Sequence, residues 1–304
     1  MELRHLRYFV AVADEKNFTR AAKRLFIAQP PLSRQIQQLE DELGVLLIEK
    51  GSRPLRLTEA GKFFHAHAQT LLASAAELKT MTQRVGNIEH TLSLGFVAST
   101  LYGLLPQILR RFRERYANVE VHFHEMTTME QIQALKDGVI DVGFGRVRSE
   151  DPNIRRIVLR EEPLVVALPV GHAAAASSAP VKLVALQTEC LIVYPRTPRP
   201  SFADQILGVL AERSIVPRKV LEVRELQIAI GMVAAGEGVA IVPDSLQGMR
   251  RDDVVYRAIV DRHAVSPVMF SVRKSDRSEE LKNMLAVIYE VYDDAGLDYV
   301  RETL

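Results

Sequence analysis

The chain has 304 residues, with 39 Lys and Arg against 38 Asp and Glu, 47% apolar residues, 16 glycines and 14 prolines. Those proportions exclude a disordered, collagen-like or low-complexity chain, and the balanced charge excludes a histone-like polycation. The length predicts two domains, while the lone Cys190 excludes a disulfide framework and a multi-thiol zinc site.

Leu3, Leu6, Phe9, Val10 and Ala13 recur at helical spacing and predict a first helix. Asn17 is placed to cap a second, FTRAAKRL. QPPLSRQIQQLEDELG reads as a third, with Pro30 and Pro31 in the first turn, where proline is tolerated, and Gly44 at its end. VLLIEKGSRPLRLT then predicts two short strands around a Gly-Ser-Arg-Pro turn. The N-terminus carries charges throughout and shows no secretory signal, and no uncharged run approaches ~18 residues. The expected location is the cytoplasm, with no membrane contact.

Residues 59–87 lack proline and place Phe64, Ala68, Leu71, Ala75, Leu78, Thr82 and Val85 in steps of four and three. Such a stripe predicts a long helix of roughly 40 Å that packs along a second helix, a dimerising linker. Beyond it, β-rich runs alternate with helical ones, from TLSLGFVA and LYGLLPQILRRFRERY to ELQIAIGMVAAGEG and VAIVP. That alternation predicts an α/β domain of parallel sheets covered by helices, in two lobes crossing near LREEP and HAVSPV. Cys190, beside LIVY, is expected as a buried small hydrophobe.

Residues 16–56 hold eight Lys and Arg against four acids, and the acids gather at the far end of the third helix or beyond it. The start of that helix presents Gln29, Ser33, Arg34, Gln35 and Gln37. Gln and Arg there suit bidentate contacts to base edges in the major groove, and a helix N-terminus favours phosphate. Two short helices joined by a tight turn, the second polar at its start, match helix-turn-helix docking. Arg53, at the hairpin tip, is placed to touch backbone or enter a minor groove.

The block TRAAKRL…AQPPLSRQIQQLEDELGVLLIEK strongly resembles the winged helix-turn-helix of LysR-type transcriptional regulators. The resemblance covers the whole chain, because GLLP, ALKDG, IDVGFGR, YPRTPRPSFAD and LQIAIGMVAAGEGVAIVP match that family's effector domain. It implies a winged helix-turn-helix at 1–58, a dimerising linker helix at 59–87 and a two-lobed, periplasmic-binding-protein-like effector domain at 88–304. Lobe I would hold 88–161 and 266–304, and lobe II 162–265. Gln29, Pro30, Ser33 and Arg34 become the major-groove surface and Arg53 the wing contact, with Pro30 structural.

Within the family the chain is most similar to the benzoate- and cis,cis-muconate-responsive activators of aromatic catabolism. Three strand-to-helix junctions offer hydroxyls, at Ser99 and Thr100, Thr127 and Thr128, and Ser201, where open α/β sheets bind anions. The subgroup's effector pattern is matched at Ser99, Thr128, Pro200 and Phe202, which implies a small carboxylate such as cis,cis-muconate. A second pocket for benzoate would be lined by Leu104, Leu105, Ile108, Arg146, Arg160, Glu162 and Tyr292, although the same charges also suit a plain interlobe salt bridge. Partners implied are promoter DNA, RNA polymerase and further copies of the chain, as a tetramer built from two dimers. A related pathway such as chlorocatechol degradation, or repression with a different carboxylate, stays open.

No enzyme motif is present: GxSxG, HExxH and a Walker sequence are absent, and GFGRVR and GEGVAI lack a third glycine. His122 and His124 share one face of a strand with no third metal ligand in sequence reach. Neither a cofactor nor a metal is expected.

Overall fold

The structure, a computed structural model, describes residues 1–52, 54–86, 90–261 and 263–304, with no side chain described at 77, 79–81, 83–86 or 90. It divides into two compact units, one of Met1–Val85 with Lys136–Gly138 and a larger one of Gly86–Leu135 with Val139–Leu304.

In the first unit α1 (Leu3–Glu15), α2 (Phe18–Arg24) and α3 (Gln29–Leu43) close around Phe9, Val12, Ala21, Leu32, Ile36 and Leu39. Leu6, Phe9 and Ala13 point inward as the spacing predicts, whereas Leu3 is exposed and Val10 half-buried, with Ala11 and Val12 buried beside them. Asn17 Oδ1 accepts from the Arg20 amide at 3.0 Å and caps α2. Gly44, at φ 69°, ends α3 in the left-handed region that glycine adopts freely.

The two expected strands reduce to one antiparallel bridge, Ile48 with Leu57. Pro54 has no amide to give, and the Arg56 amide donates to Ser52 Oγ at 3.0 Å instead of extending the ladder. Arg53 lies outside the described residues.

The long helix α4 (Glu59–Gly86) starts where the Thr58 hydroxyl accepts from the Gly61 amide at 3.0 Å. A Cβ on Gly61 would meet the Leu47 carbonyl oxygen at 2.0 Å, so the helix can approach this closely only with glycine there. Phe64 lies edge-on to Phe9 with centroids 5.2 Å apart, and His65 Nε2 sits 2.8 Å from Asp14 Oδ1. Farther along, the apolar stripe leaves this small core. Ala68 is buried, but Leu71 and Leu78 are 51% and 68% exposed. The side chain of Val85 is not among those described.

The second unit begins with β1 (His90–Phe96), α5 (Leu105–Arg115), β2 (Val119–Glu125), α6 (Thr128–Lys136) and β3 (Val142–Gly145). Next come β4 (Ile154–Pro169), β5 (Cys190–Val193), α7 (Phe202–Ala211), β6 (Lys219–Glu222) and α8 (Leu226–Ala234). The last elements are β7 (Val239–Pro243), β8 (Val254–Ala258), β9 (Val265–Arg273) and α9 (Glu279–Asp294).

The strand order is β2-β1-β3-β9-β4-β7-β5-β6, with β8 beside β4. The expected parallel pairing holds for β2-β1-β3 and for β7-β5-β6. It fails for β4 and β9, which run antiparallel to their neighbours. Only loops, without a crossover helix, lead into these two strands, so nothing carries the chain back to the other end of the sheet.

β4 pairs with β9 through Pro163 and then with β7 and β8 from Leu164 onward, shifting register between Val158 and Arg160. A core around Leu92, Phe112, Phe144 and Phe270 covers the first half of this arrangement, and one around Leu191, Ile206, Ile230 and Ile241 the second. Cys190 is half-buried, not buried as expected, because it stands at the first position of β5.

Candidate functional site

In the first unit, the start of α3 carries no acidic residue and presents exposed Gln29 and Arg34 with half-buried Ser33. Gln29 Nε2 donates to Ser33 Oγ at 2.8 Å, holding the amide over the helix face. Arg34 has no ion pair among the described residues, whereas Arg20 and Arg24 on α2 are engaged by Glu15 and Asp14. Gln35 is half-buried and donates to Gln38 Oε1 at 3.1 Å, so it is the least free of the predicted readers. Pro30 and Pro31 take two amides out of the first turn, which leaves recognition there to side chains more than to helix-end amides. Phe26, two residues past the end of α2, sits at φ 54° and is 94% exposed, a feature the sequence reading missed.

In the second unit, Ser99, Thr128, Pro200 and Phe202 come together on a cleft of about 590 Å³. The structure separates the free hydroxyls from the committed ones. Thr100 donates to the Val97 carbonyl at 2.7 Å, Thr127 to Glu130 at 2.8 Å, and Ser201 to the Pro195 carbonyl at 2.9 Å. Ser99 Oγ instead accepts from Arg146 Nε at 2.9 Å, and Thr128 Oγ1 accepts from the amides of Arg146 and Val147 at 3.2 and 3.4 Å. Each of these two hydroxyls therefore keeps its own hydrogen to donate. Gly145 makes this possible, since a Cβ there would meet Thr128 Oγ1 at 2.8 Å. Pro200 and Phe202 form an apolar wall, and the Phe202 ring packs on Tyr194 at 5.3 Å.

Two contributors escaped the sequence reading. Arg146, expected only in the second pocket, also borders the main cleft. Arg156 donates to the carbonyls of Val147 and Ser149 at 2.7 and 2.8 Å and to Ser271 Oγ at 3.1 Å, bracing the segment that carries Arg146. Nothing in the sequence singles it out, since Arg155, Arg160, Glu161 and Glu162 lie on the same strand.

Leu104, Leu105, Ile108, Arg146, Arg160 and Tyr292 do converge on a second cavity, but it holds only about 20 Å³. Glu162 does not line it. Its Oε2 accepts from Arg146 Nη2 at 2.6 Å and lies 3.3 Å from Arg160 Nη2, and its Oε1 accepts from the Ser245 amide at 2.8 Å. The salt-bridge reading of these charges is therefore realised. Burial pushes the Glu162 carboxyl up, but the Arg146 and Arg160 guanidinium groups and the Ser245 donor outweigh it and hold the group below its ordinary 4.5.

Among the described residues no helix is long and apolar enough to cross a membrane. Residues 3–62 match the bacterial regulatory helix-turn-helix protein family of lysR type, and residues 86–293 match the LysR substrate binding domain. The chain is 49% identical over 293 residues to a probable cat1 operon transcriptional activator of Acinetobacter lwoffii, covering 96% of each. It is 43% identical to the HTH-type transcriptional regulator BenM of Acinetobacter baylyi, covering 97% of this chain and 98% of that one. The solved effector binding domain of BenM with its effector benzoate superposes with a TM-score of 0.68 at 36% identity, covering 72% of this chain and 99% of that one.

A carboxyl held below its unfolded value contributes stability that is complete above that value and is lost as pH falls through the folded one. Glu162→Gln should therefore lower the melting temperature at pH 7, by the equivalent of about 3–5 kcal/mol for a broken buried pair. It should also weaken the loss of stability seen on acidification below 4.5. Calorimetry of both proteins across pH checks this, and identical acid limbs would refute it.

Proposed function

The chain belongs to the LysR family of DNA-binding transcriptional regulators, which are not enzymes, and on that premise we propose that it activates genes of aromatic-compound degradation in response to a small unsaturated dicarboxylate. The observation that carries this is the pair of free hydroxyl donors, Ser99 and Thr128, beside the buried Arg146 guanidinium in the 590 Å³ cleft. One carboxylate would sit on these donors, with the flat carbon skeleton against Pro200 and Phe202. cis,cis-Muconate fits that description. Benzoate, the effector in the BenM structure, would enter the second cavity only if Leu104, Leu105 and Ile108 moved apart, because about 20 Å³ does not hold a ring.

On the DNA side, Gln29, Ser33 and Arg34 would read base edges in the major groove, with Gln35 supporting and Arg53 at the wing. The exposed Leu71 and Leu78 on α4 supply the face on which a second copy would pack, giving dimers and, through the effector units, a tetramer. Effector binding would favour one arrangement of these subunits over another and so alter contact with RNA polymerase.

Titration calorimetry with cis,cis-muconate should show saturable binding that Ser99→Ala with Thr128→Val weakens by about 10- to 100-fold, the loss of two hydrogen bonds to a charged group. No binding by the wild-type protein, or full affinity in the double variant, would defeat the cleft assignment, and tighter binding of a chlorinated diacid would redirect it to that substrate class. Arg34→Ala should cost about 1–3 kcal/mol of operator affinity while leaving nonspecific binding nearly intact, measured by fluorescence anisotropy at fixed salt. Leu71→Asp should shift sedimentation towards smaller species, and an unchanged profile would remove α4 from the interface.

A further inference from the structure

We propose that His65 is a positioning residue for operator recognition. Through Asp14 it fixes the angle between the three-helix reading head and the long helix α4, and so sets the spacing between half-sites that the protein accepts. This role depends on two copies packing along α4, as proposed above, while every contact that defines it lies within the first unit.

α4 meets the reading head on one face, through Gly61, Phe64 and His65, which stand at the i, i+3 and i+4 positions of its first turns. Gly61 sets how near the helix comes, since the Leu47 carbonyl fills the space a Cβ would need. Glu40 of α3 accepts the amides of Leu47 and Ile48 at 2.7 and 3.0 Å, so the reading helix holds the segment on which Gly61 rests. Phe64 lies edge-on to Phe9, and apolar burial is indifferent to small rotations. His65 is directional. Its Nε2 stands 2.8 Å from Asp14 Oδ1, a hydrogen bond that a small tilt of α4 would break. Asp14 is itself anchored, because its Oδ2 accepts from Arg24 Nη1 at 3.3 Å and the same nitrogen lies 3.6 Å from Glu15 Oε1. Asp14 closes α1, Arg24 ends α2 and His65 belongs to α4, so one carboxylate ties three helices together.

The length of α4 turns this small contact into a large displacement. From His65 to the exposed Leu78 the helix runs about 20 Å. A tilt of about 10° at the Asp14 node would move that face by about 3.5 Å, roughly the rise of one base pair. In a dimeric helix-turn-helix protein the accepted half-site separation follows from the distance between the two heads. An ion pair that only stabilised one head would have no bearing on that distance.

Duplexes that the wild-type full-length protein selects from a randomised pool supply a probe with two half-sites. Derived duplexes carry one scrambled half-site, or one or two base pairs added between the halves. His65→Leu keeps apolar bulk beside Phe9 and removes the donor. It should bind the single half-site and sediment as the wild type does. On the selected duplex it should lose about 10-fold in affinity, and it should tolerate the respaced ones, since the second head no longer arrives in register. Asp14→Ala should reproduce this loss, and His65→Gln, whose amide can again donate to Asp14, should restore the sharp spacing preference. A spacing profile shared by the wild type and His65→Leu would overturn the proposal. An equal loss on the single half-site would overturn it too, because it marks a damaged head. A wild-type protein that sediments as a monomer would remove the dimer reading and this role with it, whereas a dimer whose spacing profile ignores both substitutions removes the role of His65 alone.

Discussion

A single carboxylate, Glu162, stands between two guanidinium groups at the point where β4 leaves one sheet for the other. It ties Arg146, which follows the end of β3, to the strand shared by both halves, and its second oxygen takes the Ser245 amide from the segment after β7. Arg146 in turn orients Ser99 through its Nε and presents its backbone amide to Thr128. The polar edge of the main cleft is therefore an extension of the buried ion cluster, and the cleft and the junction of the two halves share the same atoms.

The N-terminal unit solves a different problem with cheaper means. Its core is small, and α4 is held to α1 by the edge-on contacts of Phe9 with Phe64 and His65 and by Asp14, which serves His65 and Arg24 together. Burial pulls the Asp14 carboxyl upward, yet those two partners bring it below its usual value. Arg20 and Arg24 of α2 are spent on such structural pairs, while Arg34 on α3 stays unpaired among the described residues. Net charge near zero thus conceals a sorting of arginines into those paired within the fold and those left exposed.

Helices α1 to α3 were legible because apolar spacing, the Asn17 cap and the proline and glycine positions all gave the same answer. The hairpin was over-read, since alternation in VLLIEK and PLRLT says nothing about the Ser52 hydroxyl that captures the Arg56 amide. At the cleft, sequence located each hydroxyl-bearing junction but not which hydroxyl was free. Ser99 and Thr100 are neighbours, and only the direction of the chain decides that one meets Arg146 and the other a carbonyl. Six of the seven residues that the resemblance implies for a second pocket line one cavity, but its volume is a property of packing that no motif carries.

The absent side chain at position 145 has a consequence for how such a chain can change over generations. Thr128 occupies the space a Cβ there would need, and its oxygen receives the amides of Arg146 and Val147. Any side chain gained at 145 must displace that oxygen, whether or not the residue at 128 becomes smaller. The two positions can drift only together, because a change at either one alone disturbs the contact between Thr128 and the amides of Arg146 and Val147. Among homologues the pair should therefore be inherited as one unit, with Gly145 as constant as the hydroxyl it accommodates.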